Sequence, residues 1–212
     1  MRRFQSHQMD PRTMPAVIPL RRRLLRLSTD VLRGLALAIL AGGAGSAVAA
    51  EYPAGITTGP AVPDYGPVAP VPEGAFALDN ARSYKVVKDI RATAERPDQL
   101  NRNLESVARL LNMQARAGTP TENLDVAVVV HGPAIRDLLS DAAYRERFGQ
   151  ANPNTGLLAG LADAGVNIYL CGQTAAIRGF SPDELNPAVQ MALSAMGAHI
   201  RLQSEGYTVL PF

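Results

Sequence analysis

The sequence predicts a three-layer α/β/α domain over residues 83–212, with helices on both faces of a mainly parallel five-stranded sheet. Three observations carry that expectation. The runs "LDVAVVVHG" and "VNIYLCG" are continuously apolar rather than alternating, as in strands buried on both faces. Segments with apolar residues at helical spacing separate these runs. Strand and helix patterns take turns along the chain, and that order requires crossover connections between parallel strands.

In chain order, "SYKVVKDI" is the first strand. Between Pro97 and Gly118, Leu100, Leu104, Val107, Ala108, Leu111 and Ala115 give one apolar helix face, and Gly118 and Pro120 stop the helix. "LDVAVVVHG" is the second strand. "RDLLSDAAYRERFG" and "NTGLLAGLADAG" are helical, the latter closed by Gly165. "VNIYLCG" is the third strand, followed by a loop over 173–180. "SPDE" at 181–184 is a capping box with Pro182 at the first helical position, cut short by Asn186–Pro187. "AVQMA" is a short strand, a helix runs from about Ser194 to Ser204 and ends at Gly206, and "YTVLPF" completes the sheet.

The chain has 212 residues and a formal charge of +2, and the positive charge is concentrated at the start. Residues 1–33 hold eight Arg against two Asp, a balance of +6, which leaves −4 for the rest. A mildly acidic body without tryptophan offers no nucleic-acid footprint. The basic stretch "RRRLLR" leads into an apolar segment from Leu35, and small residues at Ala47, Ala49 and Ala50 precede Glu51. This is the order of a signal peptide spanning residues 1–50. Its 16 residues from Leu35 to Ala50 fall short of a bilayer span, so no stable membrane span is expected once it is removed. The expected compartment is the periplasm, reached through the Sec or the twin-arginine route. Residues 51–82, rich in Pro and Gly, read as an extended tether.

Ligands of parallel sheets bind outside the carboxyl ends of the strands. His131 ends the second strand and is followed by Gly132; Cys171, the lone cysteine, ends the third and is followed by Gly172. At one edge, the imidazole is placed to lower the thiol pKa or move a proton. Packing material and reactive thiol both remain open for Cys171, and an intramolecular disulfide is excluded by count. His199 reads as a helix-face residue, His7 belongs to the export segment, and Asp137, Asp141, Arg145, Glu146 and Arg147 read as a solvated face. One Cys and two body histidines do not make a usual zinc site, and no nucleotide or hydrolase motif is present. No metal or cofactor is implied.

"VAVVVHGPAIRDLL", "GLLAGLADAGVNIYLCGQTAAIRGFSPDEL" and "IRLQSEGYTVLPF" together resemble the DsrE/DsrF-like family, and within it the exported branch. The resemblance implies a small α/β/α domain that assembles into trimers or hexamers. It also implies that Cys171, matching a cysteine after a central strand, carries sulfur as a persulfide exchanged with a donor or acceptor protein. Arg178 and Gly179 match an Arg–Gly that follows the cysteine, while Gly-Gln-Thr at 172–174 departs from the family's small apolar residues. The expected site is thus Cys171 with His131, and Gly132, Gly172, Gln173, Thr174, Arg178 and Gly179 around an anionic sulfur. The alternative is a noncatalytic oligomeric module that holds a small anion or peptide in the same pocket.

Overall fold

Five parallel strands form one sheet in the order β4-β3-β2-β1-β5. They are β1 (Tyr84–Ile90), β2 (Leu124–Val130), β3 (Asn167–Cys171), β4 (Val189–Ala192) and β5 (Thr208–Leu210). The helices are α1 (Arg102–Arg116), α2 (Asp141–Phe148), α3 (Thr155–Asp163), α4 (Gly172–Arg178) and α5 (Ala195–Ser204). The computed structural model describes residues 52–210. The expected signal peptide, its cleavage site and His7 lie outside the described residues.

Side chains alternate across a strand, so each strand feeds two cores. Val126, Val128 and Val130 of β2 and Ile168 and Leu170 of β3 meet Leu104, Val107 and Leu111 of α1 and Leu157, Leu158 and Leu161 of α3. On the other face Val87, Ala127 and Val129 pack under Leu202 of α5 and Tyr207. Each fully buried aliphatic side chain contributes about 1.5–3 kcal/mol. The continuous apolar runs of β2 and β3 are thus explained by helices on both sides.

Three local expectations are corrected. The stretch read as helical over 136–149 divides into a 3-10 segment (Gly132–Leu138) and α2, whose N-cap Ser140 accepts the Ala143 N–H. Asp137 does not belong to a solvated face: it is fully buried and accepts from Thr93 Oγ1 at 2.8 Å and Asn101 Nδ2 at 2.6 Å. The stretch after Cys171, read as a loop, is helix α4, closed by Gly179 in the left-handed conformation.

The segment read as an extended tether is docked over its first half. Val62 is buried in the α1–α3 core. The buried Asn112 of α1 accepts the Val62 N–H at 2.8 Å and donates to the carbonyls of Val62, Tyr65 and Gly66. Arg116 donates to the carbonyls of Thr57, Thr58 and Gly59. Gly66 passes so close to α1 that a Cβ there would stand 2.2 Å from the Arg109 nitrogen. Proline and glycine keep this strap out of regular structure, and side chains of α1 satisfy its backbone instead.

Candidate functional site at the carboxyl ends of β1, β2 and β3

His131 continues β2 in extended conformation, and its N–H donates to the Ile90 carbonyl at 3.0 Å. Val130 pairs with Leu170, so His131 and Cys171 are the next residues on adjacent strands, which run roughly 4.8 Å apart. Asp89 of β1 pairs with Val129. By alternation, Asp89, His131 and Cys171 all lie on the face that α5 covers. There they line a cleft of about 600 Å³ with Gln173 and with Ala195, Met196, His199 and Ile200 of α5.

The polar wall of this cleft is a shared carboxylate. Asp89 Oδ2 lies 3.0 Å from His131 Nε2, and Oδ1 lies 2.8 Å from His199 Nε2. Burial pushes the Asp89 carboxyl up, but the hydrogen bonds from His199 and His131 outweigh it and hold it below the usual carboxylate range. Sequence reasoning found His131 and missed Asp89 and His199. The signals for both were present: Asp89 is a carboxylate inside a strand of a doubly covered sheet, and His199 stands at i+4 from Ala195 and i−3 from Leu202, on the packed side of α5.

Cys171 is 6% exposed, at the N-cap of α4. Burial raises its pKa. Hydrogen bonds from the Thr174 hydroxyl and the N–H groups of Thr174, Ala195 and Gln173 lower it further than burial raises it, so the thiol lies below its ordinary value. Thr174 Oγ1 also accepts the Gly132 N–H at 3.2 Å, tying the end of β2 to the cysteine. Gln173 Nε2 reaches the Leu193 carbonyl at 3.5 Å. Gly172 is required by close approach: a Cβ there would stand 2.7 Å from the Ala192 carbonyl oxygen.

The structure therefore gathers Cys171, His131, Gly132, Gly172, Gln173 and Thr174 in one place. It does not bring Arg178 or Gly179 there. Both sit at the far end of α4, roughly 10 Å along a helix that rises about 1.5 Å per residue. Arg178 is exposed, and the Gly179 carbonyl accepts from Arg147 at 3.2 Å. The fixed charge of the cleft is Asp89 and not a guanidinium. Among the described residues, no group of three or more His, Cys, Asp or Glu is arranged to hold a metal ion.

The sequence model of the DsrE/DsrF-like family matches residues 86–212. Among solved structures the chain is similar to MTH1491 from Methanobacterium thermoautotrophicum, a protein of unknown function, with 22% identity and a TM-score of 0.45 over 60% of this chain and 98% of that one. It is also similar to the YchN protein of E. coli, with 20% identity and a TM-score of 0.41 over 60% of this chain and 99% of that one. No curated protein matches.

Proposed function

The chain belongs to the DsrE/DsrF-like family, and from that premise we propose that it carries sulfur, which it accepts on Cys171 as a persulfide and passes on. One observation supports this most: the lone thiol stands at the N-cap of α4 in a cleft that His131 also lines, where the donors of Thr174, Ala195 and Gln173 lower its pKa. In the loading step the Cys171 thiolate attacks the outer sulfur of a donor persulfide, R–S–SH. A new S–S bond forms as the donor's S–S bond breaks, and R–S⁻ departs and takes a proton from protonated His131. Cys171 is left as –S–SH. One sulfane sulfur has moved, and no outside oxidant or reductant is consumed. In unloading, an acceptor thiolate attacks the outer sulfur of Cys171–S–SH and regenerates the thiolate.

The reading extends to assembly and location. Leu193, Met196 and Ile200 are 85%, 75% and 71% exposed, beside the cleft and edge strand β4. Exposed apolar side chains of this kind fit burial against further copies, as a trimer or hexamer. The basic-then-apolar N-terminus supports export to the periplasm. Among the described residues no helix is long and apolar enough to cross a membrane.

A noncatalytic binding module is the second reading, favoured by the low exposure of Cys171. Mass spectrometry separates the two. Under the carrier reading, incubation with an alkyl persulfide, polysulfide or thiosulfate adds one sulfur atom to Cys171, and Cys171→Ser takes up none. No addition from any donor favours the binding module.

A further inference from the structure

The two imidazoles that share Asp89 stand in different surroundings. We infer that His199, fixed with its hydrogen on Nε2, is a clamp that acts through Asp89 to position His131 beside Cys171. A carboxylate can only accept hydrogen bonds, so both Nε2 atoms, at 3.0 and 2.8 Å, carry their hydrogens toward Asp89. On each ring the titrating proton is then left to Nδ1. His199 Nδ1 is buried and meets no hydrogen-bond partner among the described residues. A proton there would strand a charged donor, which costs far more than leaving a lone pair unmet. The His131 side chain is 27% exposed against 17% for His199, and it borders the cleft beside Cys171.

His199 nonetheless does work that a carboxylate alone cannot. Its neutral N–H holds Oδ1 and so fixes the rotation of the Asp89 carboxylate, leaving Oδ2 directed at His131. That in turn fixes the tautomer and orientation of His131, the role a third group plays behind a general acid or base. No other titratable group enters this arrangement from α5, whose Arg201 pairs with Glu205 at 2.9 Å. From β3 the facing groups are Cys171 and, two residues earlier on the same face, Tyr169. Lys88 of β1 points to the opposite face by alternation, and Arg91 follows β1 along Gly132.

The purpose of the clamp rests on the sulfur-carrier reading, in which His131 gives its proton to the departing thiolate. Its existence does not. Nitrogen-15 imidazole spectra of the purified protein, assigned with His131→Gln and His199→Gln, test it directly. At neutral pH, His199 is expected to show a bare Nδ1 and a protonated Nε2. A proton on His199 Nδ1, with Nε2 bare, overturns the assignment.

The second readout is the pH profile of Cys171 persulfide loading. His199→Leu is expected to slow loading roughly tenfold near neutrality, and His199→Gln, whose amide can still donate to Asp89, to restore most of the rate. Equal rates for a folded His199→Leu and wild type overturn the positioning role. If wild type takes up no sulfur from any donor, the carrier reading fails and the spectra still decide the clamp.

Discussion

The Thr174 hydroxyl serves two neighbours: its oxygen accepts the Gly132 N–H at 3.2 Å, and its hydrogen supports the Cys171 sulfur. With a lone pair committed to Gly132, the single O–H is directed to the thiolate. Alkylation of Cys171 by iodoacetamide should therefore show a midpoint below the ordinary thiol value of about 8.5. Thr174→Val keeps the burial and loses the donor, so its midpoint should move upward, whereas Thr174→Ser should stay close to wild type. Rate against pH for the three proteins checks this, and an unchanged midpoint in Thr174→Val would remove the hydroxyl from the account.

Asp89 makes folding stability depend on pH in a direction that can be worked out. Its carboxyl is held below the usual range by the two histidines. A carboxylate with a depressed folded pKa contributes stability above its unfolded value of about 3.9 and loses it as pH falls through the folded value. Urea unfolding should find wild type more stable than Asp89→Asn at neutral pH. The gap should close as pH falls below about 4. A gap that is constant down to strongly acid pH would show that Asp89 acts through packing alone.

The parts of this molecule that could be read in the sequence are those whose signals are local. β2 and β3 are largely apolar runs, and His131 directly follows the one while Cys171 ends the other, so both could be placed on one edge from the sequence. α4 could not be read: it has seven residues, opens on Gly172 and buries only Ala175, too little for a periodic pattern. Arg178 enters the expected pocket only through its match to an Arg–Gly of the family, and α4 carries it to the far end. His199 reaches Asp89 across 110 residues, and Asn112 reaches Val62 across 50. Such pairs are fixed by the register of the sheet and the docking of helices, and composition and spacing do not report them.

Asn112 should account for most of the attachment of the strap. It answers four backbone groups, and its replacement leaves several of them buried and unmet. Asn112→Leu, similar in size, should cost about 2–3 kcal/mol, measured by denaturant unfolding. Limited proteolysis should then cut within 57–68, a segment expected to resist cleavage in wild type. An unaltered cleavage pattern would mean that Arg116 and the buried Val62 hold the strap without it.

The exposed apolar side chains beside the cleft provide a test of assembly. Leu193 and Ile200 are exposed and lie outside the buried cores, so replacing them leaves the fold intact. The double variant Leu193→Glu, Ile200→Glu should sediment as a smaller species than wild type. If both run as monomers over a wide concentration range, these side chains have some other partner than this chain.

Gly172 gives the sharpest stereochemical test, because two effects oppose each other there. It lies in α4 at an ordinary backbone angle, and replacing an exposed helical glycine by alanine ordinarily stabilises by about 0.5–1 kcal/mol. Here a Cβ would meet the Ala192 carbonyl oxygen at 2.7 Å and that of Leu193 at 3.3 Å, both backbone atoms that cannot swing aside. Moving them means displacing the end of β4, which pairs through Ala192 with Cys171 itself. Overpacking of this kind costs about 1–3 kcal/mol, so it wins over the helix term and Gly172→Ala should destabilise. It should also disturb the thiol: the Gln173 and Thr174 N–H groups follow directly on residue 172, and the Ala195 N–H follows the end of β4. The expected result is a lower unfolding midpoint together with an alkylation midpoint shifted upward. A variant as stable as wild type, with an unchanged thiol, would mean that β4 yields easily and that close packing at Gly172 does not hold the Cys171 donors in place.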